Sequence, residues 1–403
     1  MLGRILLTGL VALAAAAPAQ AATAIDGRGT LVVDGTPMFA LALLKPPPLG
    51  STTPWGTDGL GEVTGAGINL LGAGPLGVPW TEDELTQAQA WDAAAATLGV
   101  HTWVHLRELA RATAGSPEEA MLDHVVTTLR GDPALALWKG VDEPWWSGYS
   151  PELLQPPFDR LKALDPARPQ LILEAARGTP ADLAPYAAMA EVHGVDSYPV
   201  RFRSPRPNLH WVGTWVRLLR TVTPSRAVWA TLAACFSGSK DPAGSAAIVR
   251  PTAPQLRFMA YDAILNGARG LVLFGNHNTW CLAPGETGWS WSYWTSTLRP
   301  LVRELGPAGR LYPALAAPGS GVGVRTSDGR TPVVSRVSGR NLWVIAARHG
   351  GGTKRVTFRG LPKGLRGGWV YREGRTVRAR GGALTDTFRQ WDVHVYRFLL
   401  PAR

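Results

Sequence analysis

The sequence predicts an α/β fold, a TIM (β/α)8 barrel followed by a small C-terminal antiparallel β-sandwich. Short apolar runs alternate with helical stretches from residue 30 to about 315, and eight such units are what a barrel requires. After residue 318 the pattern changes to short strands and turns. The 403 residues are enough for one large domain and a small one. We therefore expect a signal peptide over 1–24, a catalytic-type barrel over 25–318 and a basic β-sandwich over 319–403.

The amino terminus has the features of a secretory signal peptide. The segment MLGRILLTGLVALAAAAPAQAATA carries one early arginine, an Ala-rich apolar stretch and Ala-Gln-Ala at 19–21, which predicts cleavage near Ala21 or Ala24. The alternative is a membrane anchor, but the apolar run is short and a small-residue cleavage site follows it. The sequence therefore predicts a secreted or periplasmic protein.

A front hairpin, GTLVVDGTPMFALAL, leads into the first of eight predicted barrel strands. Each strand is a short apolar run bounded by polar or turn residues. The runs are FALALL (39–44), INLLG (68–72), HTWVHL (101–106), LALWKG (135–140), LILEAA (171–176), GVDSYPV (194–200), AVWATLAACF (227–236) and GLVLFG (270–275). A doubly wound sheet is the rival fold, but it would not need eight units. No Gly-rich phosphate-binding loop follows any strand.

The helical stretches between the strands begin at recognisable N-caps. TEDE at 81–84 and SPEE at 116–119 fit a capping box, the second with proline at the first helical position. TPAD at 179–182 is a similar start, and Thr252 can cap the segment APQLRFMAYDAILNGAR. These caps predict helices between successive strands, as a barrel requires.

The C-terminal region combines strand-and-turn patterning with a strong positive charge. The strand-like runs are GVGVRTS, PVVSRVS, NLWVIAAR, KRVTFRG, GGWVYREGRTVRA and WDVHVYRFLL, with turns such as SDGR, SGRN and HGGG between them. Residues 321–403 hold 17 Lys and Arg against 4 Asp and Glu, a net charge of +13, whereas the rest of the chain holds 24 against 26. This asymmetry indicates an anionic envelope polymer or lipid head group as partner. Nucleic acid is disfavoured by export and by the lack of a nucleic-acid motif. A compositional Arg bias is the alternative.

The segment WKGVDEPWW, residues 138–146, places two adjacent carboxylates at the end of a buried strand. Asp142 and Glu143 follow the fourth predicted strand, and active sites of such barrels lie at the carboxyl ends of the strands. A like charge and burial both raise a carboxyl pKa, as a general acid requires. The alternative for Glu143 is a surface acid, or a partner for Lys139 or Arg107.

Tryptophan is abundant, with 17 in the chain, and several follow predicted strands. Trp145 and Trp146 follow the fourth strand, and the loop after the eighth, NHNTWCLAPGETGWSWSYW, contains Trp280. Flat indole faces stack on sugar rings, and the indole N–H can donate to hydroxyls. Any single tryptophan has the core as its alternative, but clustering in two strand-end loops predicts a carbohydrate cleft.

Four segments resemble bacterial TIM-barrel glycoside hydrolases of the large retaining superfamily. They are VDEP after the fourth strand, GVDSYP in the sixth, VWATL in the seventh and MAYDAILNGARGLVLFG leading into the eighth. The N-terminal VVDGTPMFALAL and the closing DVHVYRF are also similar to that group. The resemblance covers most of the mature chain and implies hydrolysis of O-glycosidic bonds, with Glu143 matching the acid/base glutamate.

Two positions depart from the superfamily pattern. Asp142 stands where asparagine usually precedes the acid/base glutamate, and the seventh strand lacks the usual nucleophile glutamate. A glycosidase needs a second carboxylate on the other side of the sugar. Asp196 in GVDSYP is the first candidate, and its alternative is a buried Asp that holds the Ser197–Tyr198 turn. Other strand-end carboxylates are Glu174, Glu108 and Glu286.

Further polar side chains are predicted at the same rim, where they could bind sugar hydroxyls. With the residues above, the predicted substrate-binding set is Asp142, Trp145, Trp146, Asn69, His105, Tyr198, Asn276, His277 and Trp280. No HExxH or CxxC spacing occurs, so neither a metal nor another cofactor is predicted.

The two cysteines, Cys235 and Cys281, are predicted to form a disulfide, which an exported protein permits. Cys235 ends the seventh predicted strand and Cys281 follows the eighth. Neighbouring barrel strands bring such ends together on one face, so a bridge is geometrically reasonable. The alternative is two buried free thiols.

Two functions from different classes fit these observations. One is hydrolysis of a glycan, with Glu143 as general acid/base and Asp196 as its partner. The other is a non-catalytic carbohydrate- or envelope-binding protein that kept the barrel and lost the nucleophile. The missing glutamate of the seventh strand is the feature that favours the second.

Overall fold

The computed structural model describes residues 22–200, 207–235, 249–317 and 321–401. Residues 1–21 of the predicted signal peptide therefore lie outside the described residues, and so does the predicted domain boundary at 318. Both stay predictions. Over the described ranges, every helix is too short or too polar to cross a bilayer.

Three short strands precede the barrel and cover its amino-terminal end. They form an antiparallel sheet of β1 (Thr23–Ile25), β2 (Leu31–Val33) and β3 (Thr36–Met38). Asp34 and Gly35, which join β2 to β3, have φ values of 49° and 75°, as a two-residue type I′ turn requires. Leu31 and Met38 share an apolar cluster with barrel-interior residues such as Trp229, so this sheet closes the base of the barrel.

Eight parallel strands close into a barrel, as the sequence predicts. They are β4 (Ala40–Leu43), β5 (Leu70–Ala73), β6 (His101–His105), β7 (Leu135–Asp142), β8 (Gln170–Ala175), β9 (Val192–Asp196), β10 (Ala227–Ala233) and β11 (Gly270–Phe274). β11 pairs in parallel with β4, which closes the ring. Inward side chains such as Leu171, Val192 and Trp229 fill the interior. The carboxyl ends of all eight strands therefore meet at one rim.

The helices surround the strands and begin largely where the caps predict. They are α1 (Gly59–Ala66), α2 (Glu82–Leu98), α3 (Pro117–Leu129), α4 (Pro151–Leu164), α5 (Pro180–Leu183), α6 (Trp211–Val222), α7 (Ala253–Leu265), α8 (Trp291–Tyr293), α9 (Arg299–Leu305) and α10 (Tyr312–Ala316). Thr81 and Ser116 cap α2 and α3 by accepting a backbone N–H. Thr179 and Thr252 form complete capping boxes, in which both partners donate a backbone N–H to the other's side chain.

The C-terminal region is a sandwich of two antiparallel sheets. Its strands are β12 (Arg325–Thr326), β13 (Val333–Ser338), β14 (Asn341–Ala347), β15 (Lys354–Arg359), β16 (Gly367–Val370), β17 (Arg375–Arg378), β18 (Ala383–Phe388) and β19 (Val393–Leu399). One sheet has the order β12-β15-β18 and the other β13-β14-β19-β16-β17. Val344 and Phe358 belong to the apolar core between the two sheets.

One face of the five-stranded sheet packs against helices of the barrel. Trp343, Ile345 and Val395 belong to the same apolar cluster as residues of α7. Arg257 of α7 donates to the carbonyl of Val393 at 2.9 Å. The barrel and the sandwich are therefore joined by a continuous apolar interface with a hydrogen bond across it.

Candidate active site

Three neighbouring barrel strands bring carboxylates to the rim. Asp142 ends β7 and Glu143 follows it, Glu174 is the penultimate residue of β8, and Asp196 ends β9. The strand register aligns Asp142 with Leu173 and Asp196 with Ala175, so the three strand ends lie at one level. The sequence predicted a position at this rim both for Glu143, after the fourth predicted strand, and for Asp196, in the segment GVDSYP.

Glu143 has a backbone conformation that non-glycine residues rarely adopt. Its φ is 47°, in the left-handed region. Its N–H donates to the carbonyl of Leu173 on β8 at 2.7 Å, and its carbonyl accepts from the N–H of Ser147 at 2.8 Å. Strained residues of this kind persist where the surrounding contacts fix them, and they concentrate at functional sites. This backbone conformation fixes the direction in which the side chain of Glu143 leaves the end of β7.

The surroundings of Glu143 favour its protonated form. Burial, followed by the charge of Asp142, raises the pKa of Glu143, while Arg177 and Lys139 act to lower it. The side chain lines a cavity of about 340 Å³ together with Asp142, Lys139 and His105. A carboxyl with a raised pKa that faces an open cavity can act as a general acid.

Lys139 and Arg107, the two cations that could have paired with Glu143, have other partners. The buried Lys139 donates to Asp142 Oδ1 at 2.7 Å. Arg107 lies 3.8 Å from the carboxylate of Glu108. Neither makes an ion pair with Glu143 within the described ranges, so its carboxyl is not held in a surface salt bridge.

Asp196 lies on the inward face of β9, in phase with Val192. Burial, followed by the charge of Asp142, raises its pKa to about 8, while the neighbouring hydroxyl of Thr231 acts to lower it. The charge of Glu143 is a further cause of the increase. Asp196 Oδ1 makes no hydrogen bond to any residue that the structure describes. Asp196 also forms a hydrogen bond with the side chain of Tyr198, which fits the alternative that it holds the Ser197–Tyr198 turn.

Glu174 is buried on the outward face of β8. Ile172, two residues earlier on the same face, packs against Leu154 of α4, and side chains alternate along a strand. Both carboxylate oxygens of Glu174 lack a hydrogen-bond partner among the described residues. Burial, then the charges of Glu143 and Asp196, raises its pKa to about 8. Glu174 therefore lies behind the rim, and neither it nor Asp196 is among the residues that line the 340 Å³ cavity.

The other two candidate carboxylates stabilise loops by accepting hydrogen bonds from backbone N–H groups. Glu108 accepts from the N–H of Trp80 at 2.5 Å. Glu286 accepts from the N–H groups of Ala283 and Ser292 at 2.8 and 2.6 Å. Burial acts to raise the pKa of Glu286, but these hydrogen bonds outweigh it and lower the pKa. Both glutamates are thus occupied, which leaves Asp196 and Glu174 as possible partners of Glu143.

Two exposed tryptophans lie in the loops that follow β7 and β11. Trp146 is 53% exposed, with the guanidinium of Arg177 4.2 Å from its ring. Trp280 is 55% exposed. Trp145 lies against Gly178, where an added Cβ would come within 2.9 Å of its ring, so it is largely packed. Trp146 and Trp280 are the members of this group whose side chains are more than half exposed.

Two histidines at the rim are neutral at ordinary pH. Burial, followed by the charges of Lys139 and Arg107, lowers the pKa of His105 far below its usual range, and its Nε2 is unpartnered in the described part of the chain. Burial and then the charge of Lys45 lower the pKa of His277 to about 4. Neutral imidazoles can accept or donate a hydrogen bond to a sugar hydroxyl without adding charge.

Tyr198 and Asn276 lie at the rim, just after β9 and β11. Tyr198 stacks on Phe274 with ring centroids 5.6 Å apart. Asn276 donates from Nδ2 to the carbonyl of Ser290 at 3.1 Å, while its buried Oδ1 has no partner in the ranges that the structure describes. Both remain candidates for substrate binding.

The prediction that Asn69 binds substrate is wrong. Asn69 precedes β5, so it lies at the amino-terminal end of the barrel. Its Oδ1 accepts from the N–H of Leu41 at 2.8 Å, and its Nδ2 donates to the carbonyl of Phe39 at 3.0 Å. These hydrogen bonds of the Asn69 side chain join the first two barrel strands, at the end of the barrel opposite to the rim.

Cys235 and Cys281 form a disulfide, with their Cα atoms 6.3 Å apart. Cys235 lies two residues after β10, and Cys281 lies in the loop after β11. The prediction of this bridge is confirmed. It links two neighbouring loops at the rim.

Sequence reasoning missed two residues at the rim, Thr231 and Arg177. Thr231 is in register with Asp196 and is the one residue with a hydroxyl in the apolar strand β10. It lies two residues after Trp229 and so on the same, inward face of the strand. A single polar residue on that face of an apolar strand could have been recognised from the sequence. Arg177 follows β8 by two residues, and no spacing in the sequence pointed to it.

Comparisons with solved structures identify the architecture. A structure described as a glycoside hydrolase is 12% identical, with a TM-score of 0.64, and the match covers 95% of this chain and 98% of that one. A glycoside hydrolase family 5 protein from Bacteroides vulgatus is 12% identical, with a TM-score of 0.57 and coverage of 94% and 93%. The fold is that of the TIM-barrel glycoside hydrolases.

A third structure with this glycoside hydrolase fold is a family 30 endoxylanase from Clostridium papyrosolvens. It is 9% identical, with a TM-score of 0.53 and coverage of 90% of this chain and 97% of that one. No protein-family model and no curated protein matches the chain. At these identities the likeness establishes the barrel and its C-terminal β-rich region, and the chemistry has to be argued from the site.

Proposed function

We propose that the protein is an exported glycoside hydrolase that cleaves O-glycosidic bonds of a glycan. Glu143 is its general acid/base and Asp196 is the second carboxyl. The observation that supports this most directly is electrostatic. Burial and the charges of Asp142 and Glu143 raise the pKa of Asp196, and Glu143, at the same rim of a glycoside hydrolase fold, also has a raised pKa.

Such a pair divides the work of hydrolysis. One carboxyl protonates the glycosidic oxygen as the bond to the anomeric carbon breaks. The other, ionised, takes a proton from the attacking water or attacks the anomeric carbon itself. Because Glu143 and Asp196 repel each other's charge, the pair holds one proton over a range of pH, which is the state that this division needs.

The sugar is bound by the remaining rim residues. Trp146 and Trp280 offer indole faces for stacking on pyranose rings. The polar members of the proposed set are Asp142, His105, Tyr198, Asn276 and His277, and Trp145 supports the loop between β7 and α4. Asp142 is 60% exposed, so one of its oxygens is available to a hydroxyl while the other accepts from Lys139.

A panel of polysaccharides tests this function. The polymers should include xylan, β-glucan, mannan and starch, with released reducing ends and product sizes as the readout. Glu143→Gln should lower turnover by several orders of magnitude while leaving the fold intact. Glu108→Gln is the matched control, because Glu108 lines the same cavity but is bound to Trp80. Equal turnover by the parent and Glu143→Gln would remove Glu143 from the mechanism.

The second candidate function is non-catalytic binding of a carbohydrate or envelope polymer. It is favoured by β10, which runs from Ala227 to Ala233 without a carboxylate. Binding of glycans by the parent without release of any product, with loss of binding in Trp146→Ala, would establish this alternative.

The same proposal includes export and a polymer partner. The disulfide is compatible with an oxidising compartment, and mass spectrometry of the protein from its native host would show whether the chain begins after Ala21 or Ala24. The +13 charge of residues 321–403 is the basis for an anionic envelope polymer as the partner of the C-terminal region.

A further inference from the structure

The hairpin of β16 and β17, at the edge of the five-stranded sheet, presents an exposed aromatic ring. Trp369 is 53% exposed. Arg397 of β19 is its cross-strand neighbour and is also the neighbour of Trp343, which packs on the barrel. Trp369 therefore continues the barrel-facing side of the sheet beyond the interface and into solvent. A large aromatic surface exposed at this position has no role in packing.

Glycine keeps the surface beside Trp369 open. Gly367 lies on the same face two residues earlier, and an added Cβ there would meet only the carbonyl of Val377 at 3.6 Å, an ordinary contact. Neither packing nor backbone conformation demands a glycine at this site. Gly368 differs, because its Cβ would come within 2.6 Å of the ring of Phe398. Gly367 thus leaves space beside the indole that any other side chain would occupy.

Four exposed cations surround this space. A groove of about 790 Å³ is lined by Trp369 together with Lys363, Arg366, Arg378 and Arg380, and no acidic side chain lines it. Arg378 is directly opposite Gly367 in the hairpin, so it is a diagonal neighbour of Trp369 on the same face. None of the four cations forms an ion pair with a residue in the described ranges.

Three of the four acidic residues of the sandwich form ion pairs elsewhere, and the fourth, Asp392, accepts from the backbone N–H of Arg389. Asp328 is paired with Arg348. Glu373 and Asp386 are both bound to Arg375, at 2.7 and 2.8 Å. The groove therefore collects cations that the sandwich itself does not neutralise, and their charge is available to an external anion.

We propose that this groove is a second carbohydrate-binding site, specific for polysaccharides that carry uronic acid residues. Trp369 stacks on a pyranose ring. Arg366 and Arg378 form bidentate hydrogen bonds with the carboxylates of that ring and of neighbouring rings. A neutral glycan would form no ion pairs with the cations, and a polyanion without sugar rings would not stack on the indole. The site rests on the anionic-polymer partner proposed above, and it does not depend on hydrolysis at the barrel rim.

Binding of polygalacturonate to the full-length protein tests the site, measured by isothermal titration calorimetry at low salt. The same polymer after full methyl esterification has the sugar chain without the charges, and poly-glutamate has charges without the sugar. The parent should bind polygalacturonate at least about tenfold more tightly than either. Trp369→Ala should weaken binding of polygalacturonate about tenfold and leave binding of poly-glutamate unchanged.

The matched control separates a built site from diffuse charge. Arg366→Ala/Arg378→Ala should weaken binding of polygalacturonate more than about tenfold. Arg355→Ala/Arg359→Ala removes the same charge from β15 of the other sheet and should change it less than about twofold. Equal losses in the two double variants would overturn the groove while leaving the polymer partner standing. No binding of polygalacturonate by the parent, or binding unaffected by Trp369→Ala, would overturn the uronic acid site, whatever the barrel hydrolyses.

Discussion

Lys139 Nζ donates to Asp142 Oδ1 at 2.7 Å, so the buried ammonium of Lys139 is used by the first of the two adjacent carboxylates. For Glu143, the second, burial and the repulsion of Asp142 outweigh the attractions of Arg177 and Lys139. Asp142 is also the largest charge effect that raises the pKa of Asp196. The residue that replaces the usual asparagine thus acts on both proposed catalytic carboxyls.

Asp142→Asn should therefore lower the pKa values of both Glu143 and Asp196. The substitution removes a like charge and frees Lys139 to attract both carboxylates, and the two effects have the same sign. The alkaline limb of kcat/KM should move to lower pH. Because Lys139 loses its partner, the free energy of unfolding should fall by about 1 kcal/mol. An unchanged pH profile in the folded variant would contradict this account.

The pH dependence of activity should be bell-shaped, with its alkaline limb near pH 8. The pair needs one proton, and the last proton leaves with the pKa of about 8 that burial and the charge of Asp142 give Asp196. We expect kcat/KM to fall above that pH, where the pair has lost its last proton, and to fall again at acidic pH, where both carboxyls are protonated. Glu174→Gln is the control. It removes the other carboxyl with a pKa of about 8, and it should leave the alkaline limb in place.

Glu174 should make stability fall with rising pH. Its folded-state pKa of about 8 lies above the ordinary 4.5, so between these values the folded protein holds a proton that the unfolded chain has released. The resulting decrease in the free energy of unfolding is absent below pH 4.5 and complete above pH 8. Glu174→Gln should raise the free energy of unfolding at pH 8 by on the order of 2 kcal/mol and have little effect at pH 4.5. Urea denaturation at both values measures this, with the exposed Glu118→Gln as control.

Hydrolysis should invert the anomeric configuration if Asp196 is the partner of Glu143. β7 and β9 are separated by β8, and adjacent strands lie about 4.8 Å apart, so their side chains start from backbones roughly 10 Å apart. Carboxyls about 6.5–9.5 Å apart leave room for a water molecule, whereas a retaining pair is about 5–5.5 Å apart. Proton NMR of the first-formed product gives the anomer. A retained configuration would point to a different second carboxyl.

Removing the disulfide should destabilise the protein without abolishing the fold. The bridge joins residues 46 apart, and the chain-entropy model gives about 3–4 kcal/mol for a loop of that length. Cys235→Ser/Cys281→Ser should lower the free energy of unfolding by about that amount. Reduction of the parent should have the same effect, and alkylation of the unreduced, denatured parent should label neither thiol.

The barrel strands were predictable because they are covered on both sides and therefore read as continuous apolar runs. AVWATLAACF and GLVLFG needed no alignment to be recognised. β18, with the sequence ALTDTF, was missed because only one of its faces is covered, so polar residues interrupt its pattern. Edge and sandwich strands give a weaker signal for this reason.

The site was predictable only as far as it depends on strand order. Glu143 follows its predicted strand, so its position at the rim could be inferred. Asp196 lies inside the predicted run GVDSYPV (194–200), and only the resemblance of GVDSYP to the superfamily's segment pointed to it. Asn69 was misplaced because its run, INLLG, does not show which residue begins the strand. The outward direction of Glu174 depends on register, and a shift of one residue would turn it inward. Local sequence does not determine that choice.

The apolar interface between the sandwich and the barrel has a consequence for how the molecule unfolds. Because Trp343, Ile345 and Val395 share one cluster with α7, separating the two parts exposes apolar surface on both. Their unfolding should therefore be cooperative, a single calorimetric transition for the whole chain. A chain truncated at residue 318 would expose the α7 side of that interface and be prone to aggregation, so its failure to bind a polymer would report lost integrity instead of a lost ligand site.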